Sequence, residues 1–310
     1  MIKIYKTNSK LNKTKRLKNI TRDCWIDLVS PSEKEIDEVI EKTKIDKDLI
    51  MKMADLEELP RTEKSGNATL IVIDTPSLED GMYTTYPLGI IITDSNYIIT
   101  ISPKKLFILN DFKDNKINDF RTAKKNRFLI QILLKTISSY QRILRKIGRE
   151  IEDKEKILKY NTTNEDLIDL LDIEKTLVYF MTSLKANDIV LEKLNRETVL
   201  PLYEADLDLL EDAMIENKQA IEMNTIYKDI LSSISNTYGA VISNNLNIAM
   251  KFLAGFTIVI SVPTMISSFL GMNIPLGDLS KDPYSIIMVT IVSIILSVIA
   301  AIILKKKNML

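Results

Sequence analysis

The sequence predicts an α+β cytoplasmic domain with a long helical stalk, followed by two C-terminal transmembrane helices. The expected divisions are residues 1–118, 119–250 and 251–310. Three observations predict it. Strand-like, β-branched runs cease by about Arg121; long, charged, helically periodic segments follow; and two uncharged apolar stretches close the 310-residue chain.

In the first part, ATLIVID (68–74), LGIIITD (88–94) and NYIITIS (96–102) read as strands, the last two flanking an Asp94-Ser95-Asn96 turn. SPSEKEIDEVIEKT reads as a helix opened by Ser30-Pro31-Ser32-Glu33 in an N-cap and Pro-N1 manner. Trp25 and Cys24 are expected in the core. Helices are expected over 121–160, 164–197 and 202–250, with breaks at Asn161-Thr162-Thr163 and Leu200-Pro201. If the third runs unbroken into the first apolar stretch, Leu202 to Leu270 is 69 residues. Such a helix is roughly 100 Å long.

Phe252–Leu270 has nineteen residues and Tyr284–Leu304 twenty-one, neither with a charge. A bilayer core of about 30 Å needs about 20 such residues, so both are predicted to span a membrane. The thirteen residues between them carry one base, Lys281, whereas Lys305, Lys306 and Lys307 follow the second stretch. That asymmetry predicts a multi-pass protein of the cytoplasmic (inner) membrane, with both termini cytoplasmic and the short loop outside.

Composition excludes several function classes. Lys+Arg and Asp+Glu number 42 each, so nothing in the net charge attracts nucleic acid. Histidine is absent and Cys24 is the one cysteine, which removes Ser-His-Asp and Cys-His catalysis and any Cys/His zinc cluster. The 8 glycines form no phosphate-binding loop. A non-enzyme without an organic cofactor is expected, and a hard, oxygen-loving divalent cation is the metal that the donor set suits.

Stepping by four and three from Met250 reaches Ala254, Thr257, Ser261, Thr264, Ser268 and Gly271, so four of the first span's five hydroxyl residues share one face. Such a stripe is either a tight helix–helix seam or the wall of a pore enclosed by a homo-oligomeric ring. Pro263 removes the backbone donor to the Val259 carbonyl. The stripe holds no carboxylate, so a divalent ion passing it would keep its water.

Gly271-Met272-Asn273 follows directly on the first of the paired spans. With Pro263-Thr264, SNNLNIAMKFL (243–253) and ENKQAIEM (216–223), it makes residues 120–310 resemble the CorA-type magnesium transporter family. The resemblance implies a funnel-shaped homopentamer in the lipid bilayer that admits hydrated Mg²⁺, with Co²⁺ and Ni²⁺ as further cargo. Gly271, Met272 and Asn273 would form the external selectivity ring. Asn247, Met250, Leu253, Ser261, Thr264 and Ser268 would line the pore, and Thr257 joins them by its place on the stripe. Intracellular Mg²⁺ would also regulate, through Asp212 with Asp208, Glu204 and Asp55. Departures are Leu270 before the motif and Ile274-Pro275-Leu276-Gly277-Asp278 after it, which leave Asp278 and Asp282 for external ion capture.

Alternatives remain for each part. The row Glu204, Asp208, Asp212, Glu216 is equally a solvated stalk face. Lys124, Lys125, Arg127, Arg142, Arg145 and Arg149 are expected to coat helices near an anionic membrane or to pair with acids. The whole chain could be a zinc or other transition-metal transporter on the same scaffold, or a coiled-coil scaffold or sensor tethered by its spans.

Overall fold

Seven strands form one mixed sheet among the described residues, which in this computed structural model are 1–8, 13–56, 58–158, 164–196, 200–272 and 284–309. They are β1 (Ile2–Asn8), β2 (Lys13–Leu17), β3 (Trp25–Val29), β4 (Arg61–Ser65), β5 (Ala68–Glu79), β6 (Met82–Thr93) and β7 (Ile98–Ser102). Their spatial order is β2-β1-β3-β7-β6-β5-β4, with only β3 and β7 parallel. The helices are α1 (Glu33–Thr43), α2 (Lys47–Met51), α3 (Asn110–Lys113), α4 (Lys125–Leu158), α5 (Asn164–Asn195), α6 (Glu204–Leu270) and α7 (Ser285–Lys306). The chain divides into two units, Met1–Ser232 and Ser233–Leu310, and α6 contributes to both.

The inner strands are buried on both faces, which is why they read as continuous apolar runs rather than as alternating ones. Leu70, Val72, Ile91 and Ile99 pack with Ile36 and Val39 of α1 and Leu49 of α2. On the opposite face Ile71, Ile73, Ile90 and Ile98 pack with Phe128 and Ile132 of α4 and Leu191 of α5. Each such side chain, fully buried, contributes about 1.5–3 kcal/mol. The three predicted strands are present, and the Asp94–Asn96 turn closes with Thr93 N–H donating to the Tyr97 carbonyl at 3.1 Å. β5 and β6 extend beyond the predicted runs because Asp80 and Gly81, at φ 49° and 86°, make the tight turn that joins them.

One local expectation is corrected. The N-cap of α1 is Ser32, with Pro31 ahead of it, because Glu35 at the third helical position accepts the Ser32 backbone N–H at 2.9 Å.

Trp25 and Cys24 are fully buried, as expected. Phe128 and Phe120 meet the Trp25 ring edge-on, at 5.1 and 6.3 Å. Trp25 Nε1 donates to Thr100 Oγ1 at 2.8 Å, and that hydroxyl donates to Asp27 Oδ1 at 3.0 Å. The other Asp27 oxygen lies 2.7 Å from the Lys113 ammonium, which comes in from α3.

Polar rungs fix the helices on the sheet and on each other. The Asn187 side chain of α5 accepts from Asp74 N–H and donates to the Asp74 carbonyl, both at 2.8 Å. Asn217 and Asn224 of α6 donate to the carbonyls of Leu184 and Leu177 of α5, at 3.1 and 3.0 Å. These rungs step seven residues in opposite senses, so a slide of α6 along α5 would break both. Gly148 marks where α4 meets α6: a Cβ there would fall 2.6 Å from the Tyr227 ring.

Candidate functional site

The C-terminal part of α6 and all of α7 are helices long and apolar enough to cross a bilayer. α6 passes through Pro263 without a break and ends at Leu270. Coverage of its apolar part is one-sided. Gly255 is buried, and Val259, Val262, Ile266 and Leu270 are half-buried, four or three residues apart, whereas the residues between them are mostly exposed. On the same side Val262, Met265, Ile266 and Phe269 line a cavity of about 520 Å³ with Met288, Val289 and Val292 of α7. This is the side along which α7 lies.

At about 100° per residue, the centre of the Thr257, Ser261, Thr264, Ser268 stripe falls about 170° from the Gly255–Leu270 line. All four stripe residues are exposed. Of the two readings left open by the sequence, a seam with the chain's own second span therefore belongs to the Gly255 face. Sequence reasoning missed Gly255, although a small residue in an apolar helix is the signal of close approach.

The stripe's hydroxyls are oriented by the helix itself. Thr257 donates to the Leu253 carbonyl at 2.8 Å, Ser261 to Thr257 at 2.7 Å and Thr264 to Ile260 at 3.1 Å. Each proton is thereby directed back along the helix, and the oxygen lone pairs remain. Pro263 adds the Val259 carbonyl as an acceptor without its usual helical donor.

Asn247, Met250 and Leu253 continue along α6 one to three turns before the stripe, all exposed. Gly271 and Met272 close the helix, with Gly271 N–H donating to the Ser267 carbonyl at 3.0 Å and Met272 N–H to Phe269 at 3.4 Å. Asn273, Asp278 and Asp282 lie outside the described residues, as does the 161–163 break.

The acids are more scattered. Glu204, Asp208 and Asp212 are exposed along α6, and Asp55 is exposed after the turn Lys52–Ala54. Among the described residues no three His, Cys, Asp or Glu side chains converge as a metal site, so a single chain does not bring these four together. Asp206, between them, is buried and pairs with Arg127 at 3.3 Å. Asp46 caps α2 by accepting Asp48 N–H and the Ser65 hydroxyl, both at 3.1 Å. Of the basic residues, Lys124 and Arg127 pair with Asp119, at 3.7 and 3.4 Å, whereas Arg142, Arg145 and Arg149 form no ion pair among the described residues. Asp74 on β5 was not anticipated: burial pushes its carboxyl above the usual range, opposed by the Ser183 hydroxyl that donates to it at 2.7 Å.

Comparison with known proteins places these features in a family. The family described as CorA-like Mg²⁺ transporter protein matches residues 22–306. The cobalt/magnesium transport protein CorA of Methanocaldococcus jannaschii is 28% identical over 296 residues, 93% of this chain and 91% of that one. The complete structure of the CorA magnesium transporter from the same organism superposes with a TM-score of 0.84 at 26% identity, covering 99% of this chain and 96% of that one. The cytoplasmic domain of ZntB from Vibrio parahaemolyticus shares the fold at 8% identity and a TM-score of 0.60, over 78% of this chain and 98% of that one.

Proposed function

The chain belongs to the CorA-like Mg²⁺ transporter protein family, and from that premise we propose that it is a homopentameric channel of the cytoplasmic membrane through which hydrated Mg²⁺, and with it Co²⁺ or Ni²⁺, enters the cell. It is a transporter and not an enzyme. The observation that carries the reading is the bare hydroxyl stripe of α6, Thr257, Ser261, Thr264 and Ser268, which faces away from α7. Two helices per chain cannot enclose a channel, so the exposed stripe needs other copies to complete a wall.

The chemistry of that wall suits a cation that travels with its water. Only neutral oxygens line it, and Mg²⁺ loses its hydration shell reluctantly. The waters around the ion present hydrogens outward, and hydroxyl and carbonyl lone pairs accept them. Met250 and Leu253 would form an apolar constriction below the stripe, of the kind that gates by dewetting. Asn273 carboxamides would meet the ion outside, and Asp278 and Asp282 would gather it. Membrane voltage supplies about 2.3 kcal/mol per charge per 100 mV, twice that for a divalent ion, so influx needs no ATP. The absence of histidine and the full burial of Cys24 leave no imidazole or accessible thiolate ligand, which favours Mg²⁺ over zinc.

Gating by intracellular Mg²⁺ fits the exposed Glu204, Asp208 and Asp212, which need carboxylates of a neighbouring copy, such as Asp55, to make a site. The first test is Mg²⁺ entry into voltage-clamped proteoliposomes holding an internal indicator. Wild type is expected to conduct, and Asn273→Ala to lose most of the flux. Equal flux in both would remove the selectivity ring, and none in a reconstituted, folded wild type at low internal Mg²⁺ would remove the channel.

A further inference from the structure

Arg142, Arg145, Lys146 and Arg149 occupy one face of α4 at spacings of three and four residues, all exposed. With Tyr83 of β6 and Phe107 they line an open cleft of about 590 Å³, inside the unit Met1–Ser232. That volume is within the range of about 300–1,000 Å³ typical of small-molecule sites. Like charges at this spacing repel, and little nearby offsets them. Lys146 alone has an acid, Glu150 at 3.7 Å, and also donates to Tyr83 Oη at 3.2 Å. Arg145 donates to the neutral Gln141 side chain at 3.1 Å, and the Arg142 guanidinium sits 5.9 Å from the Phe107 ring centre. Arg149 has no hydrogen-bond or ion-pair partner among the described residues, and no carboxylate lines the cleft.

Three guanidinium groups without carboxylates form a fork array that matches phosphate oxygens in bidentate pairs. Two aromatic rings stand at the same opening, Phe107 beneath the Arg142 guanidinium and Tyr83 beneath the Lys146 ammonium at 5.4 Å, and a planar base would take the place of these exposed, flexible cations on the rings. We propose that this cleft binds a nucleoside polyphosphate, its phosphates on Arg142, Arg145 and Arg149 and its base against Tyr83 and Phe107. The inference goes beyond transport and does not rest on it. Because every charged group of the lining is a cation, it favours the nucleotide free of Mg²⁺, which carries two more negative charges than the complexed form. The cleft would therefore fill when cytoplasmic Mg²⁺ is scarce.

The test is calorimetric titration of the full chain in detergent with ATP, first in chelator and then with excess Mg²⁺. Inorganic triphosphate and adenosine serve as separate probes. ATP is expected to saturate, to weaken on adding Mg²⁺, and to bind more tightly than either fragment. Arg142→Glu with Arg149→Glu is expected to lower the affinity about tenfold or more, and Arg149→Gln alone by less, with thermal unfolding of both variants unchanged. Absence of saturation at several millimolar ATP, or equal affinity in the variants, would overturn the site. Triphosphate binding as tightly as ATP would overturn the placement of the base, and equal affinity with excess Mg²⁺ the preference for free nucleotide.

Discussion

Replacing Lys113 by methionine isolates the most deeply buried ion pair among the described residues. The Asp27 side chain is 1% exposed and that of Lys113 12%. Oδ1 keeps the Thr100 hydroxyl at 3.0 Å, but Oδ2 has, among the described residues, the Lys113 ammonium at 2.7 Å as its sole partner. Lys113→Met thus leaves a carboxylate oxygen in the core with no partner, which typically costs about 3–5 kcal/mol. Asp27→Asn together with Lys113→Met removes the charge as well as its partner, so the double variant should recover much of that loss. The assay is urea unfolding of the full chain in detergent, read by the fluorescence of Trp25, the one tryptophan, whose Nε1 is hydrogen-bonded to Thr100 in the same network. An unchanged midpoint in Lys113→Met, or a double variant no more stable than the single one, would refute the argument.

Other expectations concern transport and pH. Ser261→Leu puts a bulky side chain on the stripe and should lower Mg²⁺ flux in proteoliposomes about tenfold or more, whereas Phe256→Leu, off the stripe, should leave it near wild type. Equal effects would mean the stripe is not the conducting face. Asp212→Ala should weaken the inhibition of flux by internal Mg²⁺, and an unaltered inhibition curve would remove Asp212 from gating. Asp74 has a native-state pKa raised above 3.8 by burial, so its contribution to stability is greatest below 3.8 and is lost as pH rises through the native value. The urea midpoint of wild type relative to Asp74→Asn should accordingly fall as pH is raised from below 3.8. A pH-independent difference would contradict the burial effect.

What the sequence made legible follows what is locally written in it. Runs such as ATLIVID and the charge-free spans announce their own environment, and the hydroxyl stripe is a matter of counting by three and four. β2 and β4 were hidden because they are the sheet's two edges, where KTKRL and RTEKS carry charges that discourage pairing with other chains. β3 was hidden by Asp27, whose charge interrupts an otherwise apolar run and makes sense only once Lys113, 86 positions on, is beside it. The same limit applies to the acids of α6, since repetition at four shows a row but not what faces it. In the spans, hydropathy treats all apolar faces alike, so the side that α7 covers became visible only through the burial of Gly255.

The way the stripe spends its protons also bears on the sign of the charge it tolerates. Thr257, Ser261 and Thr264 each give their hydrogen to the carbonyl of the residue four before, and Pro263 has no hydrogen to give. An anion needs donors, and along these three turns none points outward. Chloride should therefore be refused without any fixed negative charge in the span, and a chloride-dependent reversal potential in the proteoliposomes would contradict this. An ordinary alcohol group is indifferent to sign, and the helix backbone has turned these into a row of acceptors.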